Sequence, residues 1–133
     1  MRIAFGALVL AVVALGASTG CAAQADPAAR DAAARFARAV AAKNGAEACQ
    51  LLAPGTRSEL EQSSGEGCPR AVLTEGLPRA GAVDAFSTFG TMAQVRFSGD
   101  VMFVSEFGNG WKVMAAGCSP VPGHPYDCTL QGG

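Results

Sequence analysis

The sequence predicts an α+β fold in which short N-terminal helices pack on a four- to five-stranded antiparallel meander. Two observations support this. The stretch Ala93–Cys118 consists of short runs rich in Val, Phe and Trp, and tight-turn signals at 98–100 and 108–110 separate these runs. The residues before it show helix-start signals and apolar side chains at helical spacing. The segment GLPRAG at 76–81 divides the helical part from the sheet.

The composition predicts a single globular domain. The chain has 133 residues, half of them apolar, and a formal net charge of -1. This balance argues against disorder. We place the domain at 27–133, with a helical layer at 27–75, the sheet at 83–117 and a disulfide loop at 118–128. No stripe of basic residues is present, so we expect no nucleic-acid partner.

The N-terminal segment 1–20 predicts export. Arg2 precedes an apolar run at 3–15, and small residues follow until Cys21. This pattern is typical of an export signal, and its apolar run is too short for a dedicated membrane span. The alternatives are that the chain is secreted without an anchor, or that the segment stays uncleaved and anchors the chain as a helix. We interpret the Ala-rich residues 21–26 as a tether.

The first two helices are predicted from their caps. Asp26 is a favoured N-cap and Pro27 suits the first helical position, so we expect a helix that continues to Lys43. Its buried face includes Phe36 and Val40. Asn44, followed three residues later by a Glu, predicts the start of a second short helix.

Two further short helices complete the predicted helical layer. Pro54 and Gly55 end the second helix, and a third follows at 56–62 around Leu60. The step Cys68-Pro69 begins a fourth. We expect five strands at the following positions: 83–89, 91–97, 101–107, 111–115 and, as a short final strand, 126–130. The third strand is apolar on both faces, so we place it near the centre of the sheet.

Four cysteines lie in the predicted domain, and an even number in an exported chain indicates disulfides. Three pairings are possible, and we favour Cys49–Cys68 and Cys118–Cys128 because each pair brackets a turn-rich stretch. The alternatives are free thiols or a metal site. No Cys-x-x-Cys is present and His124 is the single histidine, so we predict no metal site.

The chain resembles a group of small secreted lipoproteins of actinobacteria, whose domains are of a reduced cystatin-like or NTF2-like type. The matching motifs are ACQLLAP at 48–54, Cys68-Pro69, GWKVMAAGC at 110–118 and PYDC at 125–128. The small residues before Cys21 are similar to a lipoprotein signal, although Ser18 stands where such signals usually carry Leu. The resemblance implies that Cys21 is diacylated and that the membrane is a partner through this lipid anchor.

No catalytic constellation is present in the sequence, so we predict no catalytic residue and no cofactor. We expect His124 at the surface of the disulfide loop, Asp100 in a solvated turn with an ordinary pKa, and the carboxylates Asp84 and Glu106 at the solvated surface. We predict that Asp127 accepts a hydrogen bond in a turn.

The leading functional hypothesis is a non-enzymatic binding or protein-interaction module at the outer face of the cell membrane. Its partner would be an envelope protein or a small apolar molecule. The alternative is an apolar-ligand carrier or an NTF2-like enzyme with a pocket between the first helix and the sheet. The candidates for lining that pocket are Phe36, Phe103 and Trp111.

Overall fold

The computed structural model describes residues 25–132, and the predicted export signal and Cys21 lie outside them. Four helices precede five strands. Their bounds are α1 Pro27–Ala41, α2 Gly45–Leu51, α3 Pro54–Ser64, α4 Cys68–Thr74, β1 Val83–Phe89, β2 Met92–Phe97, β3 Val101–Phe107, β4 Gly110–Val121 and β5 His124–Gln131. Neighbouring strands pair antiparallel in the order β1-β2-β3-β4-β5. The predicted α+β fold is confirmed.

Helix α1 begins at the predicted cap and ends in a Schellman motif. At its start, Asp26 Oδ1 accepts a hydrogen bond of 2.9 Å from the Ala28 N–H. At its end, Lys43 has a φ of 55°, and the Asn44 N–H reaches the Ala39 carbonyl at 2.8 Å. Glycine is the usual residue at this left-handed position, because a side chain there is strained. Lys43 is the one non-glycine residue with positive φ in the described chain.

The core lies between α1 and one face of the sheet. Phe36 is fully buried, and it packs in the same cluster as Val95, Val104 and Val113 from three neighbouring strands. Along β3 the inward side chains are Met102 and Val104, which are buried, while the intervening residues are only partly buried. This alternation follows the period of a strand, and β3 is the central strand, as predicted.

Both predicted disulfides are present in the structure. Cys49–Cys68 joins α2 to α4, with the Cα atoms 6.0 Å apart, and Cys118–Cys128 joins β4 to β5. Helices α2 and α4 have only seven residues each. Helices of that length are not stable on their own, so the Cys49–Cys68 bridge stabilises both helices by joining them.

The prediction that residues 118–128 form a disulfide loop is wrong. These residues form a β-hairpin, in which Cys118 lies opposite Cys128 in the ladder and Gly123 makes the turn with a φ of 80°. Prolines suggested a loop, because proline cannot donate to a ladder. The hairpin accommodates Pro120 through a register shift between Ser119 and Val121.

Asp26, which the sequence analysis places in the tether, is held to the sheet. Its backbone N–H donates to Thr88 Oγ1 at 2.9 Å, and Trp111 Nε1 donates to Asp26 Oδ2 at 3.1 Å. The same side chain caps α1. Asp26 therefore fixes the start of α1 beside the β1–β2 turn and the beginning of β4.

Candidate binding cleft

A cleft of about 300 Å3 opens between the C-terminal half of α1, the α4–β1 connection and the start of β3. We call it the α1–β3 cleft. Its lining is mixed: the partly buried side chains of Val40, Leu73 and Leu77 and the buried Phe36 and Met102 provide apolar surface beside polar groups. Pockets that bind small molecules are typically concave and mostly apolar, with a few polar groups that orient the ligand. This cleft is at the small end of their size range.

Two cations lie at the mouth of the cleft. Lys43 follows α1 and Arg79 belongs to the α4–β1 connection, and both are exposed. Neither forms an ion pair within residues 25–132, whereas Arg57 on α3 pairs with Glu61 at 3.2 Å. Arg79 also borders an adjoining groove with Arg38. The mouth therefore carries two cations that form no ion pair with the described residues.

Asp100 lies at the cleft with only 7% of its surface exposed. Its carboxylate accepts hydrogen bonds from the backbone N–H groups of Val101 at 2.7 Å and of Gly117 and Cys118, both at 3.1 Å. Burial raises the pKa of Asp100 above 3.8, and the three hydrogen bonds offset only part of this effect. The prediction of a solvated Asp100 with an ordinary pKa is wrong, because the carboxylate is buried against the backbone of β4.

The other singled-out polar residues lie apart from the cleft. Asp84, Glu106, His124 and Asp127 are exposed, and none of them lines the cleft. Within residues 25–132, no group of three or more His, Cys, Asp or Glu side chains is arranged to hold a metal ion.

The prediction that Phe36, Phe103 and Trp111 line one pocket is wrong. Phe36 lines the cleft, but Phe103 lies on the opposite face of the sheet, edge-on to Tyr126 with ring centroids 5.0 Å apart. Trp111 is buried at the other end of α1 beside Asp26. Strand alternation separates Phe103 from Phe36, and the length of α1 separates Trp111 from the cleft.

Sequence reasoning did not place Lys43 and Arg79 together at one cleft. Lys43 had a local signal, since it stands just after α1 at the position where helices usually carry glycine. Arg79 had none, because the α4–β1 connection reaches the cleft only through tertiary packing. That packing is close: a side chain at Gly99 would collide with the Arg79 carbonyl.

Comparisons of the chain with protein-family models, with curated proteins and with solved structures gave no match. No helix in the part of the chain that the structure describes is long and apolar enough to cross a bilayer.

Proposed function

We propose that this chain is an exported envelope lipoprotein, anchored by a diacyl group on Cys21 and carrying a cystatin-like or NTF2-like domain. The pattern of residues 1–20 supports export. The two disulfides support it independently, because such bonds persist in oxidising compartments outside the cytoplasm. The order of four helices followed by an antiparallel meander agrees with the proposed domain type.

We propose further that the domain is a non-enzymatic binding module for a small organic anion with an apolar body. The observation that carries this proposal is the α1–β3 cleft, whose apolar surface ends at the unpaired cations Lys43 and Arg79. This surface would bury the apolar body, and the cations would contact the anionic group at the mouth. A ligand without charge would leave these cations unused.

The backbone at Lys43 supports the same assignment. A non-glycine residue in the left-handed region costs about 1–2 kcal/mol relative to the ordinary helical region. Glycine would remove this strain, yet Lys43 places an ammonium group at the mouth of the cleft. We infer that the lysine side chain serves binding at the expense of stability.

Replacing Lys43 should therefore change the stability of the domain and its affinity for an anionic ligand in opposite directions. We expect Lys43→Gly to raise the free energy of unfolding by about 0.5–1 kcal/mol, because relief of strain exceeds the added freedom of the unfolded chain. We expect the same variant to bind octanoate about two- to fivefold more weakly, since exposed ion pairs contribute modestly. Urea unfolding and isothermal titration calorimetry measure the two effects.

Octanol is the matched neutral ligand for this experiment. Its affinity should be the same for the native chain and for Lys43→Gly, because it lacks the anionic group. Equal affinities of the native protein for octanoate and octanol would contradict the proposed anion site. If neither compound bound, the assignment of the cleft to a small amphipathic ligand would fail.

A second candidate is an acid–base enzyme, and one observation favours it. Asp100 lines the cleft with a raised pKa, as catalytic carboxylates often do. Both of its oxygens, however, already accept backbone hydrogen bonds, from Gly117 and Cys118 of β4 and from Val101 at the start of β3. This arrangement holds the carboxylate in place and supports a structural role better than proton transfer.

A further inference from the structure

The largest exposed apolar side chains of the described residues gather at one end of the sheet. Phe89 is 65% exposed, Met92 44% and Phe107 36%. Phe89 and Met92 flank the β1–β2 turn, and Phe107 ends β3. We call these three residues the apolar tip. Exposed apolar clusters on a small domain usually mark an interaction surface.

Strand pairing places the three side chains together on the outer face of the sheet. Phe89 lies opposite Met92, and Met92 lies opposite Ser105. Residues directly opposite each other share a face, and Phe107 shares the face of Ser105 because it lies two positions further on. The Thr91 carbonyl accepts hydrogen bonds from Ser105 Oγ at 3.0 Å and from the Glu106 N–H at 2.8 Å, so the turn is tied to the end of β3.

The N-terminal tether leaves the domain at this same end. The Asp26 N–H donates to Thr88 Oγ1, one residue before the tip begins, and Asp26 also accepts from Trp111 just after the β3–β4 turn. Cys21 stands only a few residues earlier in the chain. At about 3.6 Å per extended residue, such a tether spans less than about 20 Å.

We propose that the apolar tip inserts into the interfacial region of the lipid bilayer that holds the acyl chains of Cys21. This inference rests on the lipid anchor proposed above. The short tether keeps the tip within reach of the bilayer at all times, so even a weak apolar contact is favoured. Interfacial amphipathic helices bury their apolar face about 5–10 Å into the boundary between headgroups and acyl chains, and the tip side chains would enter the same region.

The contact is apolar rather than electrostatic. The tip side chains carry no charge, and two arginines of α1 already form ion pairs, Arg30 with Asp31 at 2.7 Å and Arg35 with Glu47 at 3.5 Å. Tip insertion should therefore not require anionic lipid, and on zwitterionic bilayers it should be insensitive to salt. A second copy of the chain is the other occupant that an apolar surface of this kind suits.

Insertion of the tip also orients the cleft. Helix α1 has 15 residues, Pro27–Ala41, and lies between its cap Asp26, at the tip end of the sheet, and the Schellman motif at Lys43. At 1.5 Å per residue this is about 22 Å. The mouth of the α1–β3 cleft would thus face away from the membrane, where a water-borne organic anion reaches it.

The test uses the lipidated full chain in vesicles of zwitterionic lipid that contain a fluorescence-quenching lipid. A fluorophore is attached at Thr91→Cys, in the β1–β2 turn, and in a matched protein at Pro78→Cys, which is exposed beside the cleft. We expect strong quenching at position 91 and little at position 78. Raising the salt concentration should leave this difference unchanged.

The variant Phe89→Ser/Met92→Ser/Phe107→Ser removes the apolar side chains of the tip but keeps the lipid anchor. It therefore distinguishes insertion of the tip from simple proximity of the tip to the bilayer. It should stay on the vesicles through its lipid and keep its melting temperature, but lose most of the quenching at position 91. Equal quenching in this variant, or none in the native chain, would overturn the insertion while leaving the anchor intact. Concentration-dependent dimers lost in the same variant would favour a second copy instead. A mass spectrum without acyl chains on Cys21 would remove the premise and overturn both proposals.

Discussion

Loss of the bridge between α2 and α4 should be the most damaging change to the domain. We expect Cys49→Ala/Cys68→Ala to lower the free energy of unfolding by about 3 kcal/mol, because the bond closes a loop between residues 19 apart. Both cysteines are buried, and the seven-residue helices that they join have little stability of their own. Urea unfolding at neutral pH measures the difference.

The second bridge provides the matched control. In Cys118→Ala/Cys128→Ala, the hairpin ladder still holds the two positions opposite each other, and the closed loop spans only 10 residues. We therefore expect a smaller loss than for the first bridge. If removing Cys49–Cys68 changed the free energy of unfolding by less than about 1 kcal/mol, or by less than the hairpin bridge does, the stabilising role assigned to it would be wrong.

Asp100→Asn should have the next largest effect, about 2 kcal/mol of destabilisation. An asparagine keeps one acceptor oxygen, but its amide nitrogen would face the Gly117 N–H that now donates to Asp100 Oδ2. A buried donor left without an acceptor costs about 1–3 kcal/mol. Asp84→Asn is the control, because Asp84 is exposed on β1 and its substitution should change the free energy of unfolding little.

The effect of Asp100 should also depend on pH in a defined direction. Its pKa is raised in the folded state above 3.8, so the folded protein binds this proton more tightly than the unfolded chain. The stability contributed by the carboxyl is then fully present below pH 3.8 and is lost as the pH rises through the folded-state pKa. The difference between native and Asp100→Asn proteins should narrow over this range. A difference that widens with rising pH would contradict burial as the dominant influence on the pKa of Asp100.

Local signals predicted most of the elements. The bounds of β1 and β3 agree with the predicted ones, because turn residues delimit runs of apolar side chains on both sides. Asp26 and Asn44 cap α1 and α2 as expected, each through a side-chain oxygen that accepts a backbone hydrogen bond. These features depend on neighbours in sequence, and sequence patterns describe such neighbours well.

Features that depend on tertiary packing were not predictable in the same way. The β4–β5 hairpin was missed because Pro120 and Gly123 resemble loop residues until a bulge and a turn accommodate them. The environment of Asp100 was missed because its donors come from β4, well beyond it in the chain. The α1–β3 cleft likewise joins three distant segments, so no single stretch of sequence indicates it.

Intact-mass measurement of the protein extracted from membranes tests most directly whether the chain matures outside the cytoplasm. We predict a chain that begins at Cys21, carries acyl groups on that residue and has the other four cysteines in two bridges. The control Cys21→Ala should lack the acyl mass and move to the soluble fraction. A mass that retains residues 1–20, with unmodified and reduced cysteines, would contradict export, lipid anchoring and the disulfide-bonded domain together.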